Sequence, residues 1–278
     1  MIFDARPCEL GEGAFWHPVR EQLFWFDILN RTLHSQAQSW VFSGYVSAAG
    51  WISRDELLIA SETGLIRFDL TTGTEHPVAA AGTSVTRSND GRADRQGGFW
   101  FGTMGKKAEK GAGAIWRWHK GALRQLFPGI TIPNAICFSP DGATAHFTDT
   151  AEAKVMKVAL DAEGWPKGDP QVWLDLARAG LNPDGAVIDA EGRFWNAQWG
   201  AGRVACYGPD GAFLTSVETP GAPQSSCPAF GGPDLTTLFV TTALEHMDAA
   251  ARARHPASGQ TFAFPGVGKG LLEPQVLT

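Results

Sequence analysis

Cysteine is scarce and scattered in this sequence. Only Cys8, Cys137, Cys206 and Cys227 occur, with no Cys-x-x-Cys among them, which argues against both a disulfide framework and a zinc knuckle. They read as small buried hydrophobes with free thiols, as in a cytoplasmic protein. Long basic runs are missing too: 23 Lys and Arg stand against 29 Asp and Glu, a net charge of −6. A nucleic-acid partner therefore lacks its electrostatic footprint. No apolar stretch is long enough to span a bilayer. The N-terminal Met1-Ile2-Phe3-Asp4-Ala5-Arg6 has no basic region leading into an apolar run, so neither a membrane partner nor a secretory signal is expected. A Gly-x-Ser-x-Gly elbow is absent, which disfavours a serine acyl-enzyme. No helical periodicity of useful length appears.

What is abundant is turn formers and large aromatics: 33 Gly, 17 Pro and 11 Trp in 278 residues. That mixture suits many short strands joined by turns. One segment type recurs six times, at Gln22-Leu23-Phe24-Trp25-Phe26-Asp27, Glu56–Ser61, Gly98–Thr103, Thr144–Asp149, Gly192–Ala197 and Thr237–Thr242. The spacing is that of propeller blades. A further short strand follows each copy, as at Gly64–Phe68, Gly113–Arg117 and Gly202–Cys206. Turns such as Ser139-Pro140-Asp141-Gly142 precede several copies. The expected fold is all-β, a six-bladed β-propeller of one domain, residues 1–278, around a central metal-binding tunnel. The sixth blade is short of an outer strand, and Ile2–Arg6 is expected to supply it and close the ring.

The repeat also supplies a phase. Counting back from the aromatic centre of each recurring segment reaches the start of the preceding, innermost strand. Those positions hold Glu12, Ser47, Asn89, Asn134, Asp184 and Ser226. Inner strands line the tunnel, so these residues should ring one mouth. The second strand returns to the same mouth, bringing Lys106, Lys107, Asp149, Gln198 and Trp199 towards it. Carboxylates converging in a narrow tunnel repel one another and lose hydration; a divalent cation resolves both problems. The all-oxygen set suits Ca, Mg or Mn, with Zn or Fe(II) also compatible. None of the seven histidines falls at these positions. Pro140-Asp141-Gly142 and Pro209-Asp210-Gly211 fall inside blades and read as plain turns. Trp25, Trp100 and Trp195 read as packing between blades.

The chain resembles the SMP-30/gluconolactonase/luciferin-regenerating-enzyme family over essentially its whole length. The resemblance is carried by Leu10-Gly11-Glu12-Gly13, Arg87-Ser88-Asn89-Asp90-Gly91, Pro133-Asn134-Ala135 and Pro183-Asp184-Gly185, each with a matching segment after it, and by Phe230-Gly231-Gly232-Pro233-Asp234, all in order. It implies a divalent metal on Glu12, Asn134 and Asp184. It also implies substrate contacts from Arg87 and Asn89, and Asp184 as general base. Two departures from the family pattern lie in mouth loops. Lys106 and Lys107 stand where many relatives carry acids, and Leu244-Glu245-His246-Met247 replaces a basic-Gly pattern. Lys107 is expected to contact substrate.

The activity so implied is metal-dependent opening of a sugar (aldono-)lactone to its aldonic acid, by a monomer or weak homo-oligomer. Asp184 would take the proton of the attacking water, or serve only as a ligand. The alternatives are a promiscuous esterase or phosphotriesterase using the same tunnel, and a non-catalytic calcium-binding propeller.

Overall fold

A computed structural model describes residues 1–278. Its strands form six four-stranded antiparallel sheets. Blade 1 runs Gly11–His17, Gln22–Asp27, Thr32–Ser35, Ser39–Val41, from the axis outwards. Blades 2 to 5 repeat the plan, with inner strands Val46–Trp51, Thr86–Ala93, Pro133–Phe138 and Asn182–Ile188. Blade 6 takes Ser225–Gly231, Thr237–Thr242 and Thr261–Pro265 from the end of the chain and Ile2–Asp4 from its start. The expected closure is therefore present, and the Met1 and Ala263 main chains bond to each other. Helix is confined to Ala249–Arg254, capped by Asp248, and one 3₁₀ turn at Ala177–Ala179.

Alternation within the second strands explains how the blades hold together. Phe24 and Phe26 face blade 2 and pack with Leu57, Ile59 and Phe68. Their neighbours Leu23 and Trp25 face blade 6 and pack with Phe239 and Ala263. The same two-residue period puts Leu58 against Phe99 and Phe101 of blade 3, and Trp100 against Ile136 and Phe147 of blade 4. Trp195 packs with Phe230 and Phe262 across the blade 5–6 junction. Each hydrophobic cluster thus fills one junction between blades. Both faces of a second strand are covered, so it reads as an unbroken apolar run. Truncating one of these aromatics should cost about 3–5 kcal/mol.

The inner strands share one irregularity. In every blade the register slips by one residue against the second strand, between Glu12 and Phe15, Val46 and Ala48, Ser88 and Gly91, Asn134 and Cys137, Pro183 and Ala186, and Ser225 and Pro228. A bulge of this kind re-aims the side chain beside it. In blades 1 and 4 it is made by left-handed residues, Gly13 at φ 57° and Ala135 at φ 55°. Gly13 has no alternative, since a Cβ there would lie 2.0 Å from the Ser47 carbonyl oxygen.

Candidate functional site

The bulges put six ring residues at one end of the tunnel, and the ring divides into two kinds. The serines of blades 2 and 6 are spent on the scaffold. Ser47 Oγ donates to Ser88 Oγ at 2.8 Å, and Ser226 Oγ donates to the Gly11 carbonyl at 2.5 Å, each tying its blade to the next. The other four, Glu12, Asn89, Asn134 and Asp184, line a cavity of about 570 Å³ that opens at the mouth. They are 3–6% exposed, and so is Arg87.

A chain of hydrogen bonds fixes the amides. Arg87 Nη1 donates to Asn89 Oδ1 at 2.8 Å, and Asn89 Nδ2 donates to Asn134 Oδ1 at 3.1 Å. Asn134 Nδ2 donates to Thr150 Oγ1 at 2.9 Å, and Thr150 Oγ1 to the Pro183 carbonyl at 2.7 Å. The Asn134 oxygen is thereby held in place with a lone pair to spare. The carboxylates are treated differently. Glu12 Oε2 accepts one bond, from its neighbour Gly13 N at 3.1 Å, and neither Glu12 nor Asp184 forms a salt bridge. Burial, and then the nearby carboxylate of Asp90, push Glu12 up to about 8. Burial first, then Glu12 and Asp90, push Asp184 well above the usual carboxylate range. Burial also lowers the Arg87 guanidinium from its ordinary value, against the pull of Glu245 and Glu12.

Two buried carboxylates and a fixed amide oxygen are a donor set that fits a hard divalent cation. Asp90 lies behind them, its oxygens accepting from Gly91 N and Ile136 N at 2.8 and 2.7 Å. One other cluster, Cys8, Asp27 and His34, has ligand-type atoms within 4.8 Å of one another. Its Asp27 oxygens already accept from Glu9 N, Leu10 N, Asn30 N and Asn30 Nδ2, so that trio braces blade 1.

The returning second strands deliver some of the expected residues to the mouth and not others. Lys106, Lys107 and Trp199 line the cavity. Lys106 Nζ is pinned to the Glu62 carboxylate and the Ser84 carbonyl, whereas Lys107 is exposed and makes no ion pair. Asp149 does not line it. Its oxygens accept from Thr131 N and Ile132 N at 2.7 and 2.9 Å, the role Asp27 plays in blade 1. Gln198 is also structural, accepting from Arg203 and donating to the Tyr207 hydroxyl. Glu245 and His246, from the Leu244-Glu245-His246-Met247 stretch expected in a mouth loop, complete the rim; His246 lies in the loop beyond a second strand and so outside the ring positions. Ile132 and Asn182 also face the cavity, each two residues upstream of a ring position, within reach of the same phase argument.

A closed six-bladed propeller with an oxygen-lined cavity at one mouth of its tunnel is the class that fold and geometry define. The chain belongs to the SMP-30/gluconolactonase/LRE-like family, whose model matches residues 10–244. It is 43% identical to a Rhizobium meliloti protein that carries the provisional name sugar lactone lactonase, over 96% of this chain and 93% of the relative. It is 33% identical to the 6-deoxy-6-sulfogluconolactonase of Pseudomonas putida, over 97% and 95%. Among solved structures, a calcium-binding protein, regucalcin, of Agrobacterium tumefaciens superposes with a TM-score of 0.97 at 42% identity, covering 100% of this chain and 97% of that one.

Proposed function

We propose that this chain is a divalent-metal-dependent hydrolase that opens a sugar (aldono-)lactone to its aldonic acid. The observation that carries the reading is the pair Glu12 and Asp184: buried, mutually repelling, beside the oriented Asn134 oxygen, and in salt-bridge contact with no cation of the protein. Glu12, Asn134 and Asp184 would hold the ion. When bound, it would polarise the lactone carbonyl and offset charge building on its oxygen. The lactonase names of the two relatives support a sugar lactone as substrate, and the regucalcin likeness supports calcium among the candidate ions, Ca, Mg, Mn, Zn and Fe(II).

The rest of the site has work of its own. Arg87 keeps donors beyond the one given to Asn89 and offers a fork to the sugar oxygens. Asn89 holds Asn134 in register and faces the substrate space. Asp184 takes the proton of the attacking water as the water oxygen bonds to the carbonyl carbon. The proton then goes to the ring oxygen as its bond to that carbon breaks. Lys107 reaches hydroxyls at the far side of the mouth, and Met104, Ile132 and Trp199 give the sugar ring an apolar wall. We read residues 1–278 as one domain, working as a monomer or weak homo-oligomer in a reducing cytoplasm.

The test is proton release from a panel of aldonolactones, alkyl lactones, aryl esters and phosphotriesters, using chelated enzyme and enzyme resupplied with each ion. Ion-dependent turnover of aldonolactones is the expected result. Turnover of the esters alone would identify a promiscuous esterase or phosphotriesterase. Ion binding without turnover would identify a calcium-binding propeller.

A further inference from the structure

The opposite end of the tunnel is not open. The last residues, 266–278, form no strand after Thr261–Pro265 but cross the inner-to-second-strand turns of four blades. The Lys269 carbonyl accepts from Ala190 N of blade 5, and Gly270 N donates to Leu235 O of blade 6. The Leu272 carbonyl accepts from Arg95 of blade 3, and the Glu273 carbonyl from Trp51 Nε1 of blade 2. Val276 is 1% exposed and seated over Gly50, where any Cβ would meet it at 2.5 Å. Between this strap and the inner strands only about 20 Å³ of cavity remains.

One side chain of the strap turns inward. The Glu273 carboxylate, 12% exposed, pairs with Arg92 Nη1. Arg92 starts on the inner strand of blade 3, and its Nη2 donates to the Pro228 carbonyl of blade 6 at 3.3 Å. Blades 3 and 6 are opposite in a ring of six, so the guanidinium spans the tunnel. Two residues earlier on the same strand, Asp90 lies between Arg92 and the carboxylates of the mouth: it feels Arg92's charge, and Glu12 and Asp184 feel Asp90's. Charge therefore alternates along the axis, from the Glu12–Asp184 pair and Asp90 to Arg92 and then Glu273.

We propose that Arg92 and Glu273 are positioning residues for the reaction: the C-terminal strap, by neutralising Arg92 from below, sets how tightly the mouth holds its divalent cation. The inference rests on the metal reading above. The physical reason is range. In a tunnel screened as weakly as a protein interior, a full charge two layers below the ion still shifts its affinity on the order of tenfold. Without Glu273, Arg92 loses its rear counter-charge and keeps only Asp90, so more positive charge bears on the site; without Arg92, the site gains net negative charge.

The experiment is calorimetric titration of chelated full-length protein with Mn²⁺ and with Ca²⁺, alongside thermal melts. Glu273→Gln should weaken binding on the order of tenfold, whereas Glu273→Asp, which keeps the charge, should stay within a few-fold of wild type. Arg92→Met should tighten binding, and the charge-balanced double variant Arg92→Met/Glu273→Gln should return towards wild-type affinity even if its melting temperature falls. A merely structural strap makes the opposite pattern: both single variants and the double weaken binding together, or melting falls while affinity holds, and either result overturns the proposal. A wild-type protein that binds neither ion, nor Mg²⁺, Zn²⁺ or Fe²⁺ in the same titration, overturns the metal reading itself, and this inference with it.

Discussion

At the rear of the tunnel Arg92 meets Glu273, and Asp94, wholly buried, meets the equally buried Arg117 at 2.6 Å. At the mouth Glu12 and Asp184 are buried to a similar degree, yet no Lys, Arg or His of the chain comes into salt-bridge contact with either. Burying an unpaired charge is costly, and proteins ordinarily supply a partner or coordinate an ion. The rear follows the first course with residues of its own. The mouth leaves its two carboxylates without a salt-bridge partner and fixes an amide oxygen beside them, an arrangement that suits the second course. Arg87 sharpens the contrast, since its hydrogen bonds go to Ser88 O and Asn89 Oδ1 and not to either acid.

The largest expected effect lies at the mouth. Asp184→Asn keeps one ligand oxygen but removes charge and basicity. If Asp184 is the base, kcat should fall about 10²–10⁴-fold even when excess metal restores occupancy; near-wild-type turnover at full occupancy would leave it a ligand only. Next comes the pH dependence of stability. Glu12 is held near 8 in the folded protein against an ordinary 4.5. A raised carboxylate stabilises the fold fully below its unfolded pKa, and that stability is lost as pH rises through the folded value. Chelated protein should therefore lose melting temperature between about pH 4.5 and pH 8. Metal should remove the loss, because it stabilises the ionised form, and Glu12→Gln should reduce it without metal, leaving the part due to the raised Asp184. A chelated wild type whose melting temperature is level across that window would erase the distinction between the two ends.

The smallest effect concerns the rim. Lys107 is free where Lys106 is pinned to Glu62, so Lys107→Ala should raise KM for polar sugar lactones about three- to tenfold, the worth of one hydrogen bond, with kcat nearly unchanged. The pinned Lys106 offers the control: Lys106→Ala should act mainly on the loop it anchors. A Lys107→Ala enzyme that lost kcat alone, at constant KM for every sugar lactone, would show that Lys107 does not hold substrate.

What could be read without coordinates followed the repeat. Period and phase locate the blades, the closure by the N-terminal strand and the four polar ring residues, because each depends on a position counted within one blade. What escaped lies outside that count. Arg92 and Glu273 are 181 residues apart, and the strap carries no strand pattern to mark it. Asp90 was hidden inside the Arg87-Ser88-Asn89-Asp90-Gly91 motif, where a turn-like Asp-Gly draws attention away from a buried carboxylate. Asp149 was drawn towards the mouth by its strand end, but its oxygens are committed to two backbone amides. The six bulges were invisible too, since the inner strands are short and buried almost throughout, which leaves no in–out alternation for an extra residue to interrupt.

The central claim is that the mouth is built for one ion and that the ion is needed for turnover. Both are read in one titration, in which chelated enzyme receives substoichiometric Mn²⁺ or Ca²⁺ while bound metal per chain and the rate of aldonolactone opening are measured on the same samples. Turnover should rise from near zero in proportion to occupancy and level off at about one ion per chain, the capacity of a single Glu12–Asn134–Asp184 ligand set. Full turnover at zero bound metal, confirmed by elemental analysis, would contradict it.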